Sequence, residues 1–130
     1  MNVLFVCTGN QARSPMAETL FHELAGSGGR HAARSAGTGA GAVRRLTTRE
    51  LAWADVVAVM ETAHLDEIRS RWPDHARKVK VLGVPDDYDP DDPDLRALLS
   101  KRVGHLLDDL GVRRVGSLGP LRSPSAKRRG

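Results

Sequence analysis

A cysteine and an arginine separated by five residues lie at the end of a short apolar run near the start of the chain. The segment reads Val6-Cys7-Thr8-Gly9-Asn10-Gln11-Ala12-Arg13-Ser14-Pro15. A cysteine thiolate is a strong nucleophile, and a guanidinium group binds two oxygens of a phosphoryl group through its planar fork of N–H donors. Cys7 and Arg13 therefore predict attack of sulfur on phosphorus.

The residues on either side predict a strand, a tight loop and the start of a helix. After Asn2, residues 3–6 are all apolar and mostly β-branched or aromatic, so residues 2–6 are typical of a buried parallel strand. Ser14 and Pro15 are typical of a helix cap and first helical residue, and apolar residues follow at helical spacing. The backbone N–H groups of such a loop and the positive end of the helix dipole attract oxyanions and favour a thiolate.

We therefore interpret the loop as a phosphate site, with Cys7 and Arg13 as catalytic residues. An inert, buried strand cysteine is the alternative interpretation of Cys7, but Cys-x5-Arg-Ser between a strand and a helix is a specific pattern. The Ser14 hydroxyl has two open roles, because it can cap the helix or hydrogen bond to the Cys7 sulfur. The predicted phosphate-binding residues are Thr8, Gly9, Asn10, Gln11, Ala12, Arg13 and Ser14.

Composition limits the chain to one domain and a small set of protein classes. A chain of 130 residues with 40% hydrophobic content suits a single core. We expect neither a membrane span nor a signal peptide, because no apolar run is long enough and no basic segment precedes the first one. A single cysteine excludes an internal disulfide, and a nucleophilic thiol survives best in a reducing compartment. A cytoplasmic enzyme is the expectation.

The charge of the chain is concentrated at its end. Six of the 20 basic residues and none of the 16 acidic residues follow Leu110, although the whole chain carries +4. Residues 111–130 are rich in Gly, Pro, Ser and Arg, which predicts a disordered basic tail after a domain at residues 1–110. Aromatic residues do not interleave the basic ones, so we do not expect a nucleic-acid partner.

Strands and helices alternate along the rest of the chain, which predicts an α/β three-layer sandwich. Its sheet has four parallel strands, with helices on both faces. Residues 37–42 match a dinucleotide fingerprint poorly, because no acidic residue ends the next strand, and we expect a mobile glycine loop there. The predicted elements are strands at 2–6, 31–36, 56–60 and 79–84 and helices from residue 15, at 47–54, at 61–72 and at 93–110.

Six aspartates lie within residues 86–94, in the loop after the fourth strand. Parallel strands end at the same sheet edge, so this loop and Cys7 are expected to lie together. Its carboxylic acids are candidates for protonating the leaving group. Calcium binding does not fit, because prolines interrupt the ligand spacing and no glycine supplies the turn, whereas Asp91, Asp92 and Asp94 suit the start of the last helix.

The segment from Leu4 to Glu18 resembles the signature of the low-molecular-weight protein tyrosine phosphatases. That family includes bacterial protein arginine phosphatases and related arsenate reductases. The resemblance covers about residues 2–110 and is strongest at 3–18, then at 46–61 and 84–95. It implies the fold of that family and a phosphatase that forms a phosphocysteine intermediate. Neither a metal nor a cofactor is expected, because the five histidines show no ligand spacing.

The resemblance also implies which aspartate is the general acid. Family members carry it in an Asp-Pro-Tyr segment, which here reads Asp86-Asp87-Tyr88. Asp86 is therefore the first choice and Asp87 the second. Tyr88 either flanks the mouth of the site or is a half-buried loop residue, and Ser35 is a further candidate.

Several departures from the family leave the substrate open. Ala12 replaces the second cysteine that many members carry, and Gln11 matches neither the tyrosine-directed nor the arginine-directed members. The chain is shortened before Leu46 and lacks an aromatic residue there. We favour phosphotyrosine on a protein, or a small phosphomonoester, as substrate, and a monomer. The alternatives are a phosphoarginine phosphatase, an arsenate reductase that uses an external thiol, and a noncatalytic phosphate-binding module.

Overall fold

The computed structural model describes residues 1–26 and 30–114. Within them the chain forms four strands, four α-helices and one short 3-10 helix. The strands are β1 (Asn2–Cys7), β2 (Ala32–Gly37), β3 (Val56–Val59) and β4 (Val79–Val81). The helices are α1 (Arg13–Ala25), α2 (Thr48–Trp53), α3 (Thr62–Arg71) and α4 (Pro93–Leu110), with the 3-10 helix at Pro73–Lys78.

The four strands form one parallel sheet in the order β2-β1-β3-β4, which confirms the predicted fold class. One core cluster packs α1 and α4 against one face of the sheet, and a second cluster packs α2 and α3 against the other. On the first face, Phe5 of β1 meets Phe21 of α1 edge to face at 6.1 Å. β1 lies between two neighbours, so its last residue, Cys7, is held at the centre of the sheet edge.

β4 is shorter than predicted. The run 79–84 predicts a strand, but regular pairing stops at Val81. Gly83 adopts a positive φ of 77° and bends the chain, while the Val84 N–H still donates to the Met60 carbonyl at 2.8 Å. The bend carries the following loop over the carboxyl edge of the sheet, where β1 also ends.

α4 has the bounds that its end signals predict. The Asp92 carboxylate accepts the backbone N–H of Asp94 at 2.8 Å, Pro93 is the first helical residue, and Gly111 ends the helix in a left-handed conformation. Beyond Gly111, Val112 is buried in the core and Arg114 pairs with Asp108 at 3.0 Å. The rest of the proposed tail lies outside the described residues, so the domain boundary stays a prediction.

None of the helices in residues 1–26 and 30–114 combines the length and apolarity that crossing a membrane requires.

Candidate active site

The Cys7 sulfur is buried and has two hydrogen-bond partners. The backbone N–H of Asn10 donates to Sγ at 3.2 Å, and the Ser14 hydroxyl lies 3.0 Å from it. The Asn10 side chain donates to Ser14 Oγ at 2.8 Å, and the Ala36 carbonyl lies 3.4 Å from the same oxygen as a second acceptor for the hydroxyl hydrogen. A thiolate can only accept, so with Cys7 in that form the Ser14 hydroxyl donates to the nearer sulfur. Two donors directed at one sulfur stabilise a thiolate more than a thiol, because the thiolate is the stronger acceptor.

Ser14 is not a helix cap. α1 begins at Arg13, earlier than predicted, and its N-cap residue Ala12 makes no side-chain capping bond. Ser14 therefore lies in the first turn, where its hydroxyl faces the loop that precedes the helix. Of its two open roles, the structure supports the hydrogen bond to Cys7. Asn10, with a φ of 54°, turns the loop so that its own N–H reaches the sulfur.

Arg13 carries a buried charge, and its guanidinium group is held mainly through hydrogen bonds from Nη1. Its side chain is 3% exposed, and Nη1 donates to Glu61 Oε1 at 2.6 Å and to the Val84 carbonyl at 2.9 Å. Nη2 lies 3.7 Å from Asp86 Oδ1. A buried cation requires such partners, since an unpaired one costs several kcal/mol. The position of the guanidinium is therefore fixed from two other elements of the fold.

Glu61 and His64 form a capping box at the start of α3. The Glu61 side chain accepts the backbone N–H of His64, and His64 Nδ1 accepts the backbone N–H of Glu61 at 3.0 Å. On its other side the ring reaches residues 7–14, which we call the phosphate loop after its predicted role, with Nε2 at 2.9 Å from Thr8 Oγ1. Burial lowers the pKa of His64 from its ordinary value of 6.5, and the nearby Arg13 lowers it further, against smaller opposing contributions from Glu61 and Asp86.

The glycine segment after β2 supports the phosphate loop. Its amides at Thr38, Gly39 and Val43 donate to the carbonyls of Cys7, Thr8 and Gly9 at 2.9 to 3.1 Å. A Cβ on Gly37 would lie 2.4 Å from the Thr8 carbonyl oxygen, so only glycine allows this approach. Three backbone hydrogen bonds tie the segment to the loop after β1 in this structure, while its mobility stays a prediction.

The aspartate-rich residues 86–94, which we call the acidic loop, lie across a pocket from the phosphate loop. The pocket is lined from one side by the phosphate loop and from the other by Asp86, Tyr88, Asp89 and Pro90. The Asp86 side chain is 71% exposed, and Tyr88 is half-buried against the core. Asp87 is exposed and does not line this pocket. Asp86, the first choice as acid, therefore lies in the pocket, while Asp87, the second choice, does not.

Most of the predicted site residues lie together. Cys7, Arg13, Asp86 and Tyr88 line one pocket, with Gln11 exposed at its rim. Ser35 is buried in β2 beside Phe5 and is not among the residues that line the pocket.

Sequence reasoning missed Glu61 and His64, which hold Arg13 and Thr8. Their spacing was a usable signal, because a residue at the N-cap and another three positions later form a reciprocal cap. Histidine in place of the usual glutamate or glutamine concealed the pattern.

Comparison with known proteins identifies similar sequences and structures. A sequence profile described as low molecular weight phosphotyrosine protein phosphatase matches residues 2–52. A search of curated protein sequences finds no match.

Solved structures of bacterial proteins resemble the fold over most of this chain. A YwlE mutant from Bacillus subtilis is 28% identical, with a TM-score of 0.71 over 85% of this chain and 99% of that one. The YwlE arginine phosphatase from Geobacillus stearothermophilus is 26% identical, with a TM-score of 0.68 over 85% of this chain and 92% of that one. The tyrosine phosphatase Wzb from Escherichia coli K30, in complex with phosphate, is 26% identical, with a TM-score of 0.72 over 85% and 98%.

Proposed function

We propose that this chain, which is similar to the low molecular weight phosphotyrosine protein phosphatases, is a member of that family and hydrolyses phosphotyrosine on proteins through a phosphocysteine on Cys7. The observation that carries the proposal is the environment of the Cys7 sulfur. A buried sulfur with two hydrogen-bond donors lies at the floor of a pocket that a buried arginine also lines. An inert core cysteine requires neither the donors nor the cation.

In the first chemical step, the Cys7 thiolate attacks phosphorus and forms an S–P bond. The bond between phosphorus and the tyrosyl oxygen breaks, and its electron pair stays on that oxygen, which takes a proton from Asp86. Arg13 stabilises charge on the phosphoryl oxygens, because its position is already fixed by Glu61 and Val84 before the substrate binds. The Asn10 N–H and the Ser14 hydroxyl stabilise the thiolate before it attacks.

In the second step, water attacks the phosphorus of the phosphocysteine. Asp86, now a carboxylate, accepts the proton of that water, and the S–P bond breaks to return the thiolate. The same two donors at Cys7 then stabilise the sulfur as a leaving group. Asp86 serves both steps from its exposed position in the pocket wall, where a substrate and a water molecule have access to it.

Phosphoarginine is a second candidate substrate, because Asp86 and Asp89 both line the pocket. Carboxylates pair with a guanidinium group, and one similar structure is an arginine phosphatase. Tyr88 favours phosphotyrosine, since an aromatic side chain at the pocket wall can pack against a tyrosine ring.

Hydrolysis of para-nitrophenyl phosphate without metal, compared between the wild type and Cys7→Ser, tests the proposed activity. We expect turnover by the wild type and at least about a 10⁴-fold loss in the variant, because the nucleophile is removed. An active Cys7→Ser protein would contradict the mechanism, and an inactive wild type that still binds phosphate would identify a noncatalytic module.

A second assay compares substrates on the active protein. Phosphotyrosine and phosphoarginine peptides, and arsenate with an external thiol donor, are offered under the same conditions. The proposal requires the highest kcat/KM on phosphotyrosine, whereas a preference for phosphoarginine or arsenate would select that alternative.

We further propose that the enzyme is a monomer, that it is located in the cytoplasm and that it acts on phosphorylated proteins. A reducing compartment suits it because Cys7 is the only cysteine, so no second thiol of the chain can protect the sulfur as a disulfide. Size-exclusion chromatography with light scattering, and fractionation of cells, measure these two features.

A further inference from the structure

Thr8, the residue directly after Cys7, is held on two sides. Its carbonyl oxygen accepts the backbone N–H of Gly39 at 2.9 Å, and its hydroxyl oxygen lies 2.9 Å from His64 Nε2. The first contact comes from the segment after β2 and the second from α3. Thr8 also lines the pocket, so its position affects any anion that binds there.

The hydrogen bonds of the His64 ring fix its tautomer. Nδ1 accepts the backbone N–H of Glu61, so the proton of the neutral ring is on Nε2. Nε2–H therefore donates to Thr8 Oγ1. With its oxygen accepting this bond, the Thr8 hydroxyl has its own hydrogen free to donate to an anion in the pocket, and donation along such a chain strengthens each bond.

We propose that His64 is a positioning residue, which orients the Thr8 hydroxyl as a phosphate ligand through its Nε2–H hydrogen bond. This inference rests on the proposed phosphatase function, because it assigns one more ligand to the same oxyanion. The Glu61–His64 capping box then holds both ends of the phosphate loop. Glu61 contacts Arg13 at the helix end, and His64 contacts Thr8 at the strand end.

Protonation of His64 at low pH disrupts this arrangement at Nδ1. A doubly protonated His64 still donates through Nε2, but its Nδ1 no longer accepts the Glu61 N–H, so the capping box opens. The charged groups around the ring are Arg13 at the start of α1, Glu61 at the N-cap of α3 and Asp86 in the acidic loop. Burial and, to a smaller extent, Arg13 lower the pKa of His64, while the two carboxylates act in the opposite direction.

The test measures binding of inorganic sulfate, a tetrahedral anion whose charge is constant across the range in which histidine titrates. Calorimetry on Thr8→Val, His64→Ala and the double variant forms a double-mutant cycle. We expect Thr8→Val to weaken sulfate binding about fivefold, because one hydrogen bond is lost. The double variant should bind about as weakly as His64→Ala alone, since both changes remove the same contact.

Two further variants separate positioning from folding. Thr8→Ser keeps the hydroxyl and should recover most of the affinity that Thr8→Val loses. His105→Ala removes an exposed histidine of α4 and should bind sulfate like the wild type. Additive losses in the double variant, or unchanged binding by Thr8→Val, would overturn the proposal.

Nitrogen NMR of the wild type tests the tautomer without any variant or activity. The proposal requires the Nε2–H form of His64, and an Nδ1–H form would overturn it. These measurements do not depend on turnover. A protein that shows the coupling but hydrolyses no phosphomonoester would retain this inference as a property of an oxyanion site, while the proposed function would fail.

Discussion

The phosphate loop and the acidic loop form opposite walls of one pocket, but they are built differently. In the phosphate loop, Cys7, Asn10, Arg13 and Ser14 are all buried, and each makes hydrogen bonds that fix its side chain or sulfur. In the acidic loop, the Asp86 side chain is 71% exposed, and its ion pair with Arg13 is long at 3.7 Å.

Because of this difference, we expect the two walls of the pocket to have different roles in the reaction. A buried, hydrogen-bonded wall is preorganised, so it stabilises charge on sulfur and on phosphoryl oxygens without rearranging during the reaction. An exposed wall costs little to move and leaves space for the leaving group and for water. Substitutions in the phosphate loop should therefore affect all substrates, whereas substitutions in the acidic loop should depend on the leaving group.

Arg13→Lys should have the largest effect among substitutions that leave the Cys7 nucleophile in place. We expect kcat/KM to fall by about 100-fold or more on every substrate, because lysine lacks the fork that binds Glu61, Val84 and the phosphoryl group together. Arg96→Lys, on an exposed arginine paired with Glu23, is the matched control in the same kinetic assay. An Arg13→Lys enzyme with near wild-type kcat/KM would remove the basis for calling this wall preorganised.

Asp86→Asn should reduce kcat/KM by about 100-fold on phenyl phosphate, whose leaving group requires a proton. The loss of kcat/KM should be much smaller on para-nitrophenyl phosphate, whose leaving group departs readily as an anion. Asp87→Asn removes the same charge from an exposed aspartate of the same loop that does not line the pocket, and it is the matched control on both substrates. Asp89→Asn tests the other aspartate of the pocket wall. If Asp89→Asn proves the more damaging change on phenyl phosphate, the acid is Asp89.

Ser14→Ala should lower kcat/KM by about tenfold, because the Cys7 sulfur loses one of its two donors. The loss should be similar on good and poor leaving groups, as expected for a residue of the buried wall. Thr19→Ala is the matched control, because it removes another hydroxyl from α1, one that is exposed and donates to the Pro15 carbonyl. A substrate-dependent loss in Ser14→Ala would place the hydroxyl in leaving-group chemistry instead.

The smallest expected effect is the part of the pH dependence of the free energy of unfolding that comes from His64. Its folded-state pKa lies below the ordinary value of 6.5, so the unfolded chain takes up the proton first as the pH falls. The contribution of neutral His64 to the free energy of unfolding is fully present above about pH 6.5. It is lost as the pH falls from there toward the lowered pKa of the folded state. Urea unfolding across this range should show a smaller loss of stability in His64→Gln, and an equal loss would mean that His64 does not contribute.

Local patterns predicted the parts of the fold that local chemistry determines. β1, the caps of α4 and the N-cap of α2 at Thr47 follow from residues within a few positions of one another. The Thr47 side chain accepts the Glu50 N–H at 3.3 Å, as expected of an N-cap residue. Cys7 and Asp86 were placed at one sheet edge correctly, because parallel strands end on the same side.

The contacts that position the site depend on residues that are distant in sequence. Glu61 is 48 residues from Arg13, and His64 is 56 residues from Thr8. No periodicity connects such pairs, and only the strand order β1-β3 makes them neighbours. Ser14 was ambiguous for a different reason. One hydroxyl can either cap the helix or hydrogen bond to the Cys7 sulfur, and the sequence does not distinguish the two.

A phosphoryl group trapped on Cys7 is the most direct test of the proposed mechanism. Asp86→Asn mixed with para-nitrophenyl phosphate and quenched rapidly should accumulate the intermediate, because the leaving group departs without the acid but water attack lacks its base. Mass spectrometry of the digested protein should then find one phosphoryl group on the peptide that contains Cys7. A phosphoryl group on another residue, or turnover of this variant with none on Cys7, would contradict the mechanism.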